Sequence, residues 1–375
     1  MKILIAPDSF KESLSALQVC DCIESGFKKV FPNAEYIKVP VADGGEGSLE
    51  VIAKNLPLAK RIVTQVKAPL GNINQASYLI NNNTAIIELA QSCGLNLYPR
   101  QLRDPLKANT YGFGQMIIDA LDRGAKEFIL TLGGSGTNDV GIGLLQALGV
   151  KFLNTENKAI ELCNLENLSQ IKTINLDDFD PRIKNINFKI ACDVNNVLYG
   201  VNGATFTFGK QKGLDDNQLK DIDNKIHSFA KLCQNSLSKD IANKAGSGAA
   251  GGVGFALAAF LNAELVSGAE LILDIINFNN YLNNCDIVIV GEGKMDKQSL
   301  CGKIPTIVAQ RAKNHNVKKV IAIVGGYELN KSDINDFAID AVFSSIPFYT
   351  DLEHILKNAA KNIEQTATNV AMLLA

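Results

Sequence analysis

Histidine is scarce in this chain of 375 residues, which contains only three. His227, His315 and His354 lie in polar or helical stretches, away from the glycine-rich and acidic loops. A histidine-based catalytic triad is therefore disfavoured, and the chain has no Gly-x-Ser-x-Gly elbow that would support one. Zinc chemistry is disfavoured for the same reason, and the 8 cysteines are scattered without the spacing of a metal site.

The chain also lacks an excess of charge and a long apolar run. Its 37 basic and 39 acidic residues give a net charge of -2, so no global field attracts nucleic acid or an anionic membrane. The most apolar segment, residues 245–265, is interrupted by Asn262 and Glu264 and falls short of the roughly 18 to 20 continuous apolar residues that cross a bilayer. The N-terminal run breaks at Pro7 and Asp8, unlike a signal peptide. We expect a soluble cytoplasmic protein with reduced thiols and small-molecule partners, with no nucleic acid or membrane partner, and a homodimer is compatible with the sequence.

The stretch from Phe128 to Gly149, FILTLGGSGTNDVGIGLLQALG, is the feature around which the chain is organised. FILTL is typical of a strand buried on both faces of a parallel sheet. In the loop that follows, glycines allow a ligand to approach closely, and hydroxyl and amide side chains are predicted to cap a helix that begins near Asn138. The N–H groups at such a helix start favour a phosphate or carboxylate. A tight turn that binds nothing is the alternative, and the loop is neither a P-loop nor a dinucleotide fingerprint.

Two kinds of strand pattern divide the chain. Apolar runs that lead into loops occur near both ends, whereas segments of alternating polarity around the turn residues NNN indicate an antiparallel portion. The first kind comprises residues 2–6, 35–40, 285–290 and 317–324, and the second comprises residues 61–69, 75–80 and 84–89. We therefore predict an α/β fold in which a discontinuous Rossmann or flavodoxin-like parallel-sheet domain, residues 1–65 and 285–375, carries an inserted mixed α/β domain, residues 66–284.

Six loops at predicted strand ends or in glycine-rich turns carry charged or hydroxyl side chains: PDSFKES, VADGGEGS, GGSGTND, CDVNN, GSGAAGG and GEGKMDKQS. Phosphoryl transfer requires cations for the phosphates, donors that position them, and a base near the attacking hydroxyl. The candidates are Lys11, Lys212, Lys294 and Lys303 for phosphates or carboxylates, Asp43, Glu46, Glu292 and Asp296 for Mg²⁺, and Asp193 as the base. The alternative for each lysine is a surface charge, and for the base a turn or helix cap.

Seven segments, in this order and across almost the whole chain, closely resemble the glycerate kinase type 1 family. They are APDSFKES with SLSA, PVADGGEGS, GGSGTNDVGIGLLQALG, ACDVNN, FGKQKG, GAAGGVGFALAAFL and GEGKMDKQSLCGKIP. The resemblance implies an ATP-dependent kinase that uses Mg²⁺ and phosphorylates D-glycerate, typically at the 2-hydroxyl to give 2-phosphoglycerate. It also implies two α/β domains with the active site in the cleft between them.

The resemblance places residues of these segments at the active site, and the role of each is our own assignment. We assign catalysis to Asp193, Lys11 and Asp296, nucleotide binding to Asp8, Ser9, Gly133, Gly134, Ser135, Thr137, Asn138 and Lys294, and metal binding to Asp43, Glu46 and Glu292. The ligands expected are therefore ATP, Mg²⁺ and D-glycerate.

The chain departs from the family pattern at several positions. The family usually has glycine at Glu12 and Val140, alanine at Gly136, proline at Val197 and Lys210, and arginine followed by isoleucine at Lys294 and Met295. A lysine at 294 keeps the charge but loses forked contacts, and Val140, expected just inside the helix after the glycine loop, would narrow the approach. These changes leave open a kinase for another small hydroxy acid. A catalytically silent nucleotide or anion-binding protein is the other alternative, although the retained charged loop residues argue against it.

Overall fold

The computed structural model describes residues 1–297, 302–348 and 350–375, so part of the predicted segment GEGKMDKQSLCGKIP, residues 298–301, lies outside the described residues. The chain forms two compact units. Unit 1 comprises residues 1–43, 50–56 and 267–375, and unit 2 comprises residues 44–49 and 57–266. The predicted fold class is confirmed, because the discontinuous unit 1 contains a parallel sheet and unit 2 a mixed one. None of the described helices combines the length and apolar character that crossing a bilayer requires.

The strands are, in chain order, β1 (Lys2–Pro7), β2 (Glu35–Lys38), β3 (Lys60–Lys67), β4 (Ile73–Asn81), β5 (Thr84–Glu88), β6 (Glu127–Thr131), β7 (Lys151–Leu153), β8 (Thr173–Asn175), β9 (Asn187–Ala191), β10 (Glu264–Val266), β11 (Ile287–Gly291), β12 (Lys294–Met295), β13 (Lys319–Val324), β14 (Gly326–Tyr327) and β15 (Ala341–Ser344).

The α-helices are α1 (Ala16–Lys28), α2 (Ser48–Asn55), α3 (Ala90–Cys93), α4 (Tyr111–Asp122), α5 (Ile142–Ala147), α6 (Ala204–Lys212), α7 (Asp216–Leu237), α8 (Ala249–Phe260), α9 (Gly268–Ile275), α10 (Ile304–Asn314), α11 (Lys331–Asp336), α12 (Leu352–Lys357) and α13 (Ala359–Leu374). Short 3-10 helices lie at Leu95–Leu97, Arg100–Leu102, Leu168–Gln170, Pro181–Asn185 and Phe278–Leu282.

Unit 1 contains a sheet with the order β15-β13-β11-β1-β2, in which every neighbouring pair is parallel. Alternate residues of its central strands enter two separate cores. Leu4 and Val288 pack on one face with α9 and α10, whereas Ile3 and Ile287 pack on the opposite face with α1 and α13. A strand buried on both faces must be apolar throughout, which explains why these strands read as unbroken apolar runs.

Unit 2 contains a sheet with the order β10-β9-β6-β5-β4-β3. β3, β4 and β5 are antiparallel, which confirms the predicted antiparallel portion, and β5, β6, β9 and β10 are parallel. β3 and β4 pair in register from Lys60 opposite Ile80 to Lys67 opposite Ile73. The carboxyl ends of β5, β6 and β9 therefore meet at one edge of this sheet, where the loops after these strands begin.

Two helix predictions are wrong in their bounds. The helix expected to begin near Asn138 begins at Ile142 and has only 6 residues. The amphipathic segment from Asp351 to Ala375, which the sequence predicts as one terminal helix, forms two helices, α12 and α13, because the backbone leaves helical geometry at Asn358 (φ -102°, ψ 8°).

Candidate active site

A cavity of about 440 Å³ lies in unit 1 at the carboxyl edge of its parallel sheet. Asp8 follows β1, Glu292 follows β11, Gly325 follows β13 and Ser345 follows β15, and all four line the cavity. The predicted site residues that it brings together are Asp8, Ser9, Lys11, Asp43, Glu292, Lys294, Asp296 and Lys303. The charged strand-end loops of unit 1 thus meet in one cavity.

The cavity coincides with the point at which the winding of the sheet reverses. After β1 the chain passes through α1 on one face of the sheet, and after β11 it passes through α10 on the opposite face. Pro7 lies opposite Gly291 in the parallel pair, so Asp8 and Glu292 leave adjacent strands where the two helices diverge. In open α/β sheets, ligands bind in the crevice that such a divergence opens.

Negative charge is concentrated around Asp8. Its burial and the neighbouring carboxylate of Asp43 raise the pKa of Asp8, and Glu292 raises it further. The backbone N–H of Ser9, which donates a hydrogen bond of 2.6 Å to Asp8, and the ammonium of Lys11 act in the opposite direction. The net effect is a raised pKa, caused first by burial and then by the neighbouring carboxylates, whose negative potential a cation would relieve.

Two lysines of the cavity contact carboxylates. The Nζ atom of Lys303 lies 3.4 Å from an oxygen of Glu292. The Nζ atom of Lys294 lies 3.5 Å from Asp296 and 3.7 Å from Glu328, and its side chain is 65% exposed. A single ammonium shared between two carboxylates does not need the planar fork of an arginine.

An apolar wall completes the cavity. Ile346 and, from α12, Leu352, Ile355 and Leu356 line it, and Leu352 is 65% exposed. The sequence analysis missed these residues, although the amphipathic pattern of the terminal helix was a signal for them. The cavity therefore has charged groups at the strand ends and apolar groups on the helix side.

In unit 2, the glycine loop after β6 packs against the acidic loop of residues 44–47. The N–H of Gly133 donates a hydrogen bond of 3.2 Å to the carbonyl of Gly44, and a Cβ atom at Gly133 would lie 2.3 Å from the Cα atom of Gly45. A Cβ atom at Gly134 would lie 3.1 Å from that of Glu46. These glycines are therefore needed because another loop of the chain lies close against their backbone.

Two side chains hold the acidic loop in place. The amide of Asn96 donates a hydrogen bond of 2.6 Å to Glu46. Glu88, at the end of β5 and 1% exposed, accepts hydrogen bonds from the N–H groups of Gly47 (3.0 Å) and Leu49 (2.8 Å). The sequence analysis missed Glu88, whose only signal was a charged residue at the end of an apolar strand.

The start of α5 is filled by a carboxylate of the chain itself. Asp139 is fully buried and accepts hydrogen bonds from the N–H of Thr110 (2.8 Å), the hydroxyl of Thr110 (2.8 Å), and the N–H groups of Gly141 and Gly143 (3.2 Å each). Burial raises the pKa of Asp139, and these hydrogen bonds oppose that rise. An anion at this helix start, as the sequence predicted, would compete with Asp139 for the same N–H groups.

Thr137 and Asn138 are fully buried beneath a left-handed turn. Ala250, Gly251 and Gly252 have φ values of 53°, 67° and 92°, so α8 is helical only after them. A Cβ atom at Gly251 would lie 2.3 Å from the carbonyl oxygen of Thr137, so only glycine fits there.

The side chain of Val140 is buried where the glycine loop packs against the turn of residues 250–252. Val140 is 0% exposed, its N–H donates a hydrogen bond of 3.0 Å to the carbonyl of Gly251, and its Cγ1 atom packs against Gly252. The expectation that Val140 narrows the approach to the loop is therefore wrong, because the side chain faces the protein interior.

Lys212, the last residue of α6, is buried against the glycine loop and is 1% exposed. Its Nζ atom donates hydrogen bonds to the Oγ atom of Ser135 (2.9 Å) and to the carbonyl oxygen of Thr137 (2.6 Å). Burial lowers the pKa of Lys212 to about 7, and the carboxylate of Asp139 opposes that shift. The predicted phosphate or carboxylate partner is thus an interior lysine bound to the loop.

Asp193 lies two residues beyond the end of β9 and is partly exposed. The loop that contains it is tied to the glycine-rich segment before α8, because the carbonyl of Asn196 accepts a hydrogen bond of 2.9 Å from the N–H of Gly248. The amide of Asn196 also donates a hydrogen bond of 2.8 Å to the carbonyl of Asn202. Asp193 therefore lies on a loop that is held by the hydrogen bonds of Asn196. This loop is at the same sheet edge as the loop after β6.

No group of three or more His, Cys, Asp or Glu side chains in residues 1–297, 302–348 and 350–375 is arranged to hold a metal ion. Seven cysteines lie within those ranges, all as free thiols, and five of them are buried. Most cysteines in this part of the chain are therefore buried, and Cys301 lies outside it.

Comparison with known proteins gives a consistent result over the full length. The family model described as "Glycerate kinase family" matches residues 3–375. A glycerate kinase of Haemophilus influenzae is 44% identical over 100% of this chain and 99% of its own length, and a glycerate 2-kinase of Escherichia coli is 42% identical over 100% and 98%. The crystal structure of a protein designated glycerate kinase 2, from Salmonella typhimurium LT2, matches with a TM-score of 0.84 and 40% identity over 100% of this chain and 98% of that one. The chain belongs to the glycerate kinase family.

Proposed function

We propose that the chain transfers the γ-phosphoryl group of ATP to the 2-hydroxyl of D-glycerate and releases 2-phosphoglycerate and ADP. The full-length family match carries this proposal, and the name of the Escherichia coli relative supports the 2-position. The cavity of unit 1 supports it independently, because it offers the cations and carboxylates that phosphoryl transfer requires. A cytoplasmic location and a homodimer stay predictions.

We assign the nucleotide to the cavity of unit 1. Its volume of about 440 Å³ suits a ligand of nucleotide size, and its apolar wall on α12 suits the flat face of an adenine. Glycerate carries hydroxyl and carboxylate groups and almost no apolar surface, so it gains little from that wall. Lys11 and Lys303, at the charged side of the cavity, are the proposed partners of the phosphates.

Asp43 and Glu292 would hold the Mg²⁺ that accompanies ATP. After burial, which is the largest cause, the carboxylates of Asp43 and Glu292 both raise the pKa of Asp8, and this grouping of carboxylates supports a cation here. Mg²⁺ usually takes one or two protein carboxylates and completes its shell with phosphates and water, so a three-residue protein site is not required. Held there, Mg²⁺ would neutralise negative charge on the phosphates. Glu46, the third assigned ligand, bonds Asn96 in unit 2 and stays a prediction.

The chemical step requires a base for the 2-hydroxyl of glycerate. We assign it to Asp193, because a carboxylate at a strand end accepts a proton from a hydroxyl placed within hydrogen-bond reach. Lys11 would stabilise the negative charge of the phosphoryl group in transit. Asp296, next to the exposed ammonium of Lys294, stays the third catalytic candidate.

The proposal is tested by measuring ADP release from the purified protein with ATP, Mg²⁺ and a panel of hydroxy acids. We expect kcat/KM to be highest for D-glycerate. A higher kcat/KM for another acid of the panel would favour the kinase of a different hydroxy acid. ATP binding in a calorimeter without ADP release for any acid would instead identify a silent nucleotide-binding protein and contradict the proposal.

A further inference from the structure

We infer that Lys212 is a positioning residue of the proposed kinase reaction, which turns the hydroxyl of Ser135 into a hydrogen-bond donor for an anionic group of the substrates. The inference rests on the proposed function and deepens it. It concerns a lysine that does not itself reach the protein surface and acts through the serine that it contacts.

The direction of the hydrogen bond between the two side chains follows from their chemistry. Below its pKa of about 7, Lys212 carries an ammonium group, which has donors only, so the Oγ atom of Ser135 must then accept the bond of 2.9 Å. The proton of the Ser135 hydroxyl then points towards a different acceptor. In the part of the chain that the structure describes, no acceptor contacts this hydroxyl. A bond received from a cation also polarises the hydroxyl and strengthens it as a donor.

Ser135 is the outermost member of this buried group. It is 8% exposed, compared with 1% for Lys212 and 0% for Thr137. The backbone on both sides of it is fixed, because the carbonyl of Gly134 accepts a hydrogen bond of 2.8 Å from Leu95 and the N–H of Gly136 donates one of 2.7 Å to Cys93. The hydroxyl is therefore held at one place at the carboxyl edge of the unit 2 sheet.

The surroundings of Lys212 argue against a role in stability alone. Among the described residues no carboxylate forms a salt bridge with it, and the one charged group that faces it is the buried Asp139. The carboxylate of Asp139 is occupied by Thr110 and the N–H groups of Gly141 and Gly143. An ammonium buried without an ion pair destabilises a fold, so an apolar side chain of similar length is expected to be more stable at this position.

The test compares Lys212→Met, Ser135→Ala and the double variant, with Lys210→Met as the matched control. Lys210 lies on the same helix, is exposed and pairs with Asp216. We expect Lys212→Met and Ser135→Ala each to lower kcat/KM for D-glycerate by about 10- to 100-fold, as for loss of a hydrogen bond to a charged group. The double variant should lose no more than the worse single variant, and Lys210→Met should match the wild type. The melting temperature of Lys212→Met should equal or exceed that of the wild type.

Three results would overturn the inference: an unchanged kcat/KM in Lys212→Met, additive losses in the double variant, or a loss of activity that accompanies a lower melting temperature. No turnover by the wild type would contradict the proposed function itself, which separates the two failures. If Lys212→Met does not fold, the test uses pH instead. The kcat/KM of the wild type is divided by that of Ser135→Ala at pH values below and above the pKa of Lys212, about 7. That ratio should fall as pH rises and the ammonium loses its charge, and a constant ratio would overturn the inference.

Discussion

Gly133 and Gly45 are in backbone contact, so close that a Cβ atom at Gly133 would lie 2.3 Å from the Cα atom of Gly45. The neighbour is backbone and cannot rotate away, so one loop must shift to admit a methyl group. We expect Gly133→Ala to lower the free energy of unfolding by about 1–3 kcal/mol, as for an overpacked site. It should also lower kcat by displacing the loop that holds Ser135.

Chemical denaturation checks the effect on stability. Gly326→Ala is the control for that measurement, because a Cβ atom there meets no other atom within 4 Å. Equal unfolding free energies for Gly133→Ala and the wild type would show that the two loops separate easily and would remove the steric argument.

Lys212 makes the stability of the fold depend on pH. Burial lowers the pKa of Lys212 to about 7, whereas that of an unfolded lysine is about 10.4. Between about pH 7 and about pH 10.4 the unfolded chain binds more protons at Lys212 than the folded chain does. The free energy of unfolding therefore rises with pH, by at most about 1.4 kcal/mol per pH unit, and falls again as the pH is lowered towards 7. Lys212→Met lacks this dependence. Denaturation of both proteins near pH 7 and near pH 9 should therefore show the advantage of the methionine variant shrinking at the higher pH.

Glu12 adopts a left-handed backbone conformation, with φ of 64°. Glutamate is strained in this region, whereas glycine is not. Relief of this strain stabilises the fold, whereas the greater entropy of glycine in the unfolded chain destabilises it. We expect Glu12→Gly to raise the free energy of unfolding by about 0.5–1 kcal/mol as the net result. Asn82→Gly is the matched control, because asparagine at φ of 55° tolerates the same region and should change stability less. A loss of stability in Glu12→Gly greater than that in the control would refute the strain.

Asp193 is the proposed base, so Asp193→Asn should lower kcat by a factor on the order of 10² to 10⁴. The substitution keeps the shape of the side chain, and the dissociation constant of ATP, measured by calorimetry, should stay nearly unchanged. A wild-type kcat in this variant would reassign the base.

The parts of the fold that the sequence predicts are those decided by local pattern. Leu4 and Ile3 belong to an unbroken apolar run, and such a run is sufficient to predict a strand buried on both faces. The alternation around the turn at Asn82 likewise predicts the antiparallel strands β4 and β5.

The parts that the sequence does not predict depend on distant segments. Thr137 and Asn138 look like exposed, ligand-facing loop residues, and they are buried because the turn at Gly251, over a hundred positions later, covers them. Lys212 likewise appears in the sequence as one of several candidate phosphate or carboxylate partners, and only its packing on Ser135 makes it an interior group. No pattern within a short window contains that information.

The most direct test of the central claim is ³¹P nuclear magnetic resonance of the products formed from ATP, Mg²⁺ and D-glycerate. The resonances of 2-phosphoglycerate and 3-phosphoglycerate are compared with those of authentic standards. We predict equal amounts of ADP and 2-phosphoglycerate. The appearance of 3-phosphoglycerate alone, or of no phosphorylated glycerate, would contradict the account.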